Sequence, residues 1–319
     1  MRKALVLADD LTGALEAGAL LEGSVVAVQR DPAAAASVID TESRHLDPEE
    51  ARRRAAAWIE QIPAELIYKK TDSTLRGNIG AELSALPPGN IHYAPAYPRL
   101  GRTVRRGRLY VDGTPVEESA FALDPLDPVR DGRIREVLAW QGAPLERIRI
   151  HEGSCDQDLE SAADAVLAEP APKLAAGPAG LLAVLARRTG MARRPQPLPP
   201  VSECLVINGS AHPASRAQIE AAQAAGVFVR GWREAALEDA IGPAAALIVF
   251  GGDTARIILG RFGDPLLFPA AEVLPGVVAS WFEAEGKKRL LVTKAGGFGQ
   301  PDLLVRLAEI LRSGPGWPR

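Results

Sequence analysis

The residues best suited to chemistry crowd into one stretch, Lys69-Lys70-Thr71-Asp72-Ser73-Thr74-Leu75-Arg76-Gly77-Asn78. Cations, hydroxyls and a carboxylate share a single turn there, directly after an apolar run. An anionic, polyhydroxylated ligand needs this mixture, with Lys or Arg for its carboxylate and Asp or Asn for its hydroxyls. Lys70, Thr71, Asp72, Ser73 and Arg76 are therefore candidate substrate-binding residues. A solvated charged loop is the plain alternative, but so much polarity at a strand end usually has a purpose.

Adjacent carboxylates stand at Asp9-Asp10, where the apolar run 4–8 ends and Leu-Thr-Gly follows. Ligands of open α/β sheets bind beyond the carboxyl ends of strands. Two acids there suit a proton acceptor, a sugar-hydroxyl partner or a magnesium ligand, whereas capping the next helix needs only one. Asp10 and Asp72 are the candidate catalytic carboxylates. Arg44, within Asp40-Thr41-Glu42-Ser43-Arg44-His45, is a candidate second clamp for a carboxylate. Alone it would read as a surface ion pair of little worth.

Three glycine-bearing turns follow apolar runs in the second half: Asn208-Gly209-Ser210, Gly251-Gly252-Asp253-Thr254 and Lys294-Ala295-Gly296-Gly297-Phe298-Gly299. Glycine lets backbone approach a phosphate closely, and N–H groups at a helix start favour anions. One such turn is weak evidence, since tight strand–helix turns use glycine for geometry alone. Three in one half point to a nucleotide site formed by Ser210, Gly251, Gly252, Asp253, Thr254, Gly296 and Gly297. The chain lacks GxxxxGK[ST], GxGxxG opening a βαβ unit, the HRD and DFG elements, GxSxG and HExxH. Those absences weigh against the common ATPases, protein kinases, dehydrogenases, hydrolases and zinc proteases.

The elements that position these residues read as strand, turn, helix, repeatedly. Strands are expected at 24–28, 65–69, 90–94 and 147–150, with helices over 12–21, 48–61 and 77–85. Pro48 stands at a first helical turn behind Asp47 as N-cap. Residues 98–133 are rich in Gly, Pro, Asp and Arg and read as a long irregular excursion, such as a lid or binding loop. A proline-dense stretch at 194–202 reads as a hinge. Beyond it strands are expected at 204–208, 227–230, 245–250 and 289–293, and helices at 213–225, from 254, and at 301–311. The expected fold is α/β: two α/β domains, 1–193 and 203–319, with mainly parallel sheets.

At 319 residues the chain is comfortable for two such domains. A net charge of −3 argues against a nucleic-acid binder. No apolar run approaches the ~20 residues needed to span a bilayer, and the start has no secretory pattern, so a cytoplasmic protein is expected. Cys155 and Cys204 lack a metal-type spacing and are expected to be buried thiols.

Several strings carry a resemblance: ADDLTGA (8–14), DTESRHL (40–46), YKKTDSTLRGN (68–78), PAYPRLGRTV (95–104), YVDGTPVEESAFALDP (110–125), AAGPAGL (175–181), NGSAHPASRAQIE (208–220), GGDTA (251–255) and TKAGGFG (293–299). In this order, across nearly the whole chain, they are similar to the four-carbon acid sugar kinases. The resemblance implies an N-terminal sugar-acid-binding domain and a C-terminal ATP-binding domain, with an interdomain active-site cleft. The acid site then looks like Asp10, Arg44 and 70–73, and the nucleotide site like Ser210, 251–254 and Gly297. Departures from the family pattern are Glu16 where it has Asp, Pro178 where it has Ser, and Ala211-His212 where it has Cys-Ser.

The expected reaction is in-line transfer of the γ-phosphoryl group of MgATP to a hydroxyl of a tetronate-type acid. Asp253 would stand near the magnesium, or contact ribose instead. A kinase for a larger sugar acid and a sensor that no longer transfers phosphate stay open as alternatives. A homodimer is expected from base rates alone.

Overall fold

β1 (Ala4–Ala8), Ala-Leu-Val-Leu-Ala, is buried at every position, as a central parallel strand covered on both faces must be. This computed structural model describes residues 3–27, 36–124, 126–194, 198, 201, 204–210, 212–227, 229–231, 241–242, 244–294 and 298–313. The chain forms two compact units, one of residues 1–24 and 30–192, the other of 25–29 and 193–319.

In the first unit β1 leads into α1 (Leu11–Leu20), whose N-cap is Asp10. There follow β2 (Ser24–Ala27), which from Val25 on groups with the second unit, and then β3 (Ala36–Asp40), α2 (Pro48–Gln61), β4 (Leu66–Lys70), α3 (Ile79–Ser84) and β5 (Ile91–Tyr93). Next come β6 (Arg102–Arg105), β7 (Arg108–Val111), β8 (Thr114–Pro115), α4 (Ile134–Trp140), β9 (Ile148–Ile150), α5 (Asp156–Ala168), β10 (Lys173–Gly177) and α6 (Ala179–Arg188). The strands β3-β1-β4-β10-β5-β9 lie side by side in that order, all parallel. From β1 the chain moves out to β3, then returns to add β4 on the other flank. The carboxyl ends of β1 and β4 thus meet at a topological switch point, the place where open α/β sheets bind ligands.

The excursion at 98–133 is more regular than its composition implies, because β6, β7 and β8 form an antiparallel ribbon. Arg106 and Gly107 make the turn between β6 and β7, both at positive φ, as a two-residue hairpin with the right twist requires.

The second unit contains β11 (Cys204–Asn208), α7 (Pro213–Ala224), β12 (Val229–Gly231), β13 (Ala246–Phe250), α8 (Gly252–Arg261), β14 (Phe268–Leu274), β15 (Val277–Ala284), β16 (Lys287–Lys294) and α9 (Leu303–Ser313). Its sheet has the order β12-β11-β13-β16-β15-β14. The strands from β12 to β16 are parallel, and β15 and β14 close one side as an antiparallel meander. β11 and β13 form a second switch point. Leu198 and Val201, from the proline-dense segment, are buried in this unit's core.

The cysteines correct one expectation, for both are exposed. Cys155 caps α5, its thiol 3.4 Å from Asp158; Cys204 begins β11. Small apolar thiols usually fill cores, but a helix cap and an edge of a strand leave them at the surface.

Candidate functional site

At the first switch point Arg44 is the centre of a charge cluster. Its Nε lies 2.7 Å from Asp9 Oδ2, one terminal nitrogen 2.8 Å from Asp10 Oδ2, and the other 3.8 Å from Asp72 Oδ1. Asp10 is already committed as the helix cap: Gly13 N–H and the Thr12 hydroxyl each donate to it at 2.8 Å. Lys70, the last residue of β4, lies 3.3 Å from Glu16 on α1. Gly13 is what lets α1 come this close. A Cβ there would stand 2.7 Å from Asp10 Oδ1 and 3.1 Å from Lys70 Nζ.

Burial works against every charge here, and the opposite charges win. Burial raises Asp10, but Arg44 and then Lys70 outweigh it and hold the carboxyl below its ordinary range. Asp72 is likewise raised by burial and overruled by Arg76 and Arg44, ending well below that range. Arg44 and Lys70 are lowered by burial yet end above their ordinary values, through Asp10 and Asp9 for Arg44 and Glu16 and Asp10 for Lys70. All four groups stay ionised at neutral pH, as a site for a charged, hydroxylated ligand requires.

Asp72 also organises the loop after β4. Its carboxylate accepts from Thr74 N–H at 2.8 Å and from Arg76 at 2.8 Å and 3.2 Å. Arg76 then reaches Asp124 at 2.7 Å, with its guanidinium 5.2 Å from the Phe121 ring. Asp127 accepts the Gly77 N–H. The excursion after β8 is therefore tied onto the loop by two acids and a ring. Thr71 and Ser73 are buried within it.

In the second unit two of the glycine turns touch. A side chain on Gly209 would collide with the Thr254 hydroxyl, so only glycine permits the β11 and β13 turns to abut. Ser210 N–H donates to Asn208 Oδ1 at 3.0 Å. Gly252, Asp253 and Thr254 open α8, with Gly251 as its N-cap. Asp253 is exposed and Thr254 buried. Gly296, Gly297 and Ala211 lie outside the described residues. Among the described residues no group of three or more His, Cys, Asp or Glu side chains could hold a metal ion.

Asp9, Asp10, Arg44, Lys70 and Asp72 are thus brought together from three segments. Sequence reasoning gave no role to Glu82, Ser43 and Lys69, which bond to one another beneath this cluster. Glu16 was noted only as a departure from a pattern, and its 3.3 Å approach to Lys70 gives that position a role in the cluster. Pro178 accepts the Tyr68 hydroxyl on its carbonyl at 2.6 Å, a bond that backbone supplies whatever the side chain.

A family model described as a sugar-binding N-terminal domain matches residues 4–168. A D-threonate kinase of Cupriavidus necator is 30% identical, with 92% of this chain and 94% of that protein covered. A D-threonate kinase of Salmonella typhimurium is 33% identical over 68% of this chain and 60% of that one. Among solved structures, a domain of unknown function from Bordetella bronchiseptica, a domain-swapped dimer with bound citrate, is 26% identical. It superposes with a TM-score of 0.53 over 98% of this chain and 99% of that one. The first unit, of α/β type, contains the stretch that this family model matches. The chain belongs to the four-carbon acid sugar kinase family.

Proposed function

We propose that this kinase transfers the γ-phosphoryl group of ATP to a hydroxyl of a four-carbon sugar acid of the threonate, erythronate or oxo-tetronate type. The observation that carries the reading is the Arg44 fork, fixed by Asp9 and Asp10 beside Lys70, at the switch point of a sugar-binding unit. Arg44 and Lys70 are the cations for the acid's carboxylate. Asp10, the most exposed of the three carboxylates at 18%, orients the attacking hydroxyl. The hydroxyl oxygen bonds to the γ-phosphorus as the bond to ADP breaks, and the hydroxyl proton passes to Asp10. Such transfer needs positioning and charge neutralisation more than a strong base, which suits a carboxylate held below its ordinary range. Asp72 is only 8% exposed and binds Arg76 and Thr74, so its part is to hold Arg76 and Arg44 in place.

The nucleotide is assigned to the second unit, to Ser210, Gly251, Gly252, Asp253 and Thr254, together with Gly296 and Gly297. Magnesium neutralises the phosphates when bound. Asp253 is the exposed acid at the start of α8 that would hold it, with the phosphates supplying further ligands. A cytoplasmic homodimer is the proposed working form. No helix among the described residues is long and apolar enough to cross a membrane.

The test is ADP release from MgATP across D- and L-threonate, D- and L-erythronate and their 2-oxo and 3-oxo forms. One strong substrate is expected. Silence across the panel with ATP still bound would favour a larger sugar acid or a sensor that no longer transfers phosphate.

A further inference from the structure

Only 21% of the Arg76 side chain is exposed, and each of its three guanidinium nitrogens faces a carboxylate oxygen. Nε lies 3.2 Å from Asp72 Oδ2, one terminal nitrogen 2.8 Å from Asp72 Oδ1, and the other 2.7 Å from Asp124 Oδ2. Arg44 reaches the same Asp72 Oδ1 at 3.8 Å. Two guanidiniums therefore stand one carboxylate apart at the acid site, about the reach of a four-carbon dicarboxylate. An arginine fork in that place would be a second clamp for such a ligand. Asp124 sits where the second carboxylate would go.

Asp124 is fixed in this position. Its other oxygen, Oδ1, accepts the Leu126 and Asp127 N–H groups at 3.0 Å each. Burial raises its carboxyl, but those two amides and Arg76 outweigh it and hold the group below its ordinary range, ionised at neutral pH. Asp127, beside it, accepts the Gly77 N–H. Leu123 and Leu126, by contrast, are 84% and 68% exposed. A surface segment ordinarily turns leucine inward and aspartate outward. Here the order is reversed, and a guanidinium lies beneath the acids.

We propose that Asp124 is a specificity-determining residue: by neutralising Arg76 it leaves the acid site one carboxylate clamp, Arg44 with Lys70, and turns away four-carbon acids that carry a second carboxylate. This rests on the reading of the first unit's switch point as the acid site, and it names the acids that site refuses. A second carboxylate arriving there meets the like charges of Asp124 and Asp127, where burial strengthens the repulsion. A hydroxyl at the same end meets hydrogen-bond acceptors instead.

Tartrate is threonate with its terminal alcohol exchanged for a carboxylate, and tartaric acid monoamide has the same shape with that end neutral. The test measures each as a competitive inhibitor of the full chain, with MgATP and the best acid of the four-carbon panel. The wild type should hold the monoamide at least tenfold more tightly than tartrate. Asp124→Asn, which keeps an acceptor for the two amides, should shrink that preference at least fivefold, and Asp124→Glu should retain it. An unchanged preference in Asp124→Asn overturns the proposal, as does equal inhibition of the wild type by the two compounds. No inhibition by either also overturns it, because shape rather than charge would then exclude them. Should Asp124→Asn not fold, Asp124→Ser takes its place with the same thresholds. A wild type that neither turns over nor binds any acid of the panel is a different result: it removes the acid site itself, and this proposal with it.

Discussion

Lys69 and Glu82 form an ion pair 3.1 Å long in which each side chain is only 1% exposed. Glu82 also accepts the hydroxyl of Ser43, and the Ser43 and Arg44 amides both donate to the Asp9 carbonyl. The pair is the floor under the loop that carries Arg44. Successive residues of a strand point to opposite faces, so Lys69 serves α3 on one side while Lys70 serves α1 and the site on the other.

Removing one partner of that pair strands a charge in the core. Lys69→Met and Glu82→Leu are each expected to cost about 3–5 kcal/mol, and the double variant less than their sum. Urea unfolding of the three variants checks this. Strict additivity would show that the two charges do not interact.

Arg44→Lys keeps the charge and loses the fork that spans Asp9 and Asp10. About 2–4 kcal/mol of transition-state binding should go, ~30- to 1000-fold in kcat/KM for the acid. ADP affinity should stay within twofold. A kcat/KM close to wild type would remove Arg44 from the acid site.

Gly13→Ala opposes two effects. Alanine favours a helix by about 1 kcal/mol over glycine, yet its Cβ would press on Asp10 and Lys70. Overpacking of this kind typically costs about 1–3 kcal/mol, so KM for the acid should rise roughly tenfold with no gain in melting temperature. A stabilised variant with unchanged KM would mean that α1 can retreat from the cluster freely.

The parts legible in the sequence were those with a local cause. Asp47 and Pro48 set the start of α2, and the helix runs over Pro48–Gln61 as expected. The apolar run before Asp9-Asp10 is β1, and Cys204–Asn208 is β11. The α/β class follows from that alternation. What escaped has a tertiary cause. β3 follows an alanine-rich run with little periodicity, and α5, β10 and α6 are alanine-rich as well. β14 and β15 surround a turn with ordinary surface polarity. Lys69 and Lys294 carry charges that read as solvent-exposed until Glu82, from thirteen residues further on, and Gln218, on another element, are seen against them.

Lys294 gives stability a pH dependence of known sign. Its folded value, about 7, lies below the 10.5 ordinary for a lysine. Between those values the unfolded chain binds more protons than the folded one, so stability rises with pH through that window. The melting temperature should climb from pH 7 to pH 9 in the wild type without nucleotide, and the climb should shrink in Lys294→Met. Parallel curves for the two proteins would place the lysine in a more solvated setting.

Residues 25–29 lie early in the chain but group with the second unit. Val26 and Leu267 exchange backbone hydrogen bonds there, at 2.9 Å and 3.0 Å. A gene cut between Ala192 and Arg193 therefore does not yield two self-sufficient halves. The downstream fragment would be translated without a segment it needs, and Leu267 would present an open backbone edge. Expressing the second unit for study calls for a graft of that early segment or for co-expression with the upstream fragment, because this polypeptide is interleaved rather than strung end to end.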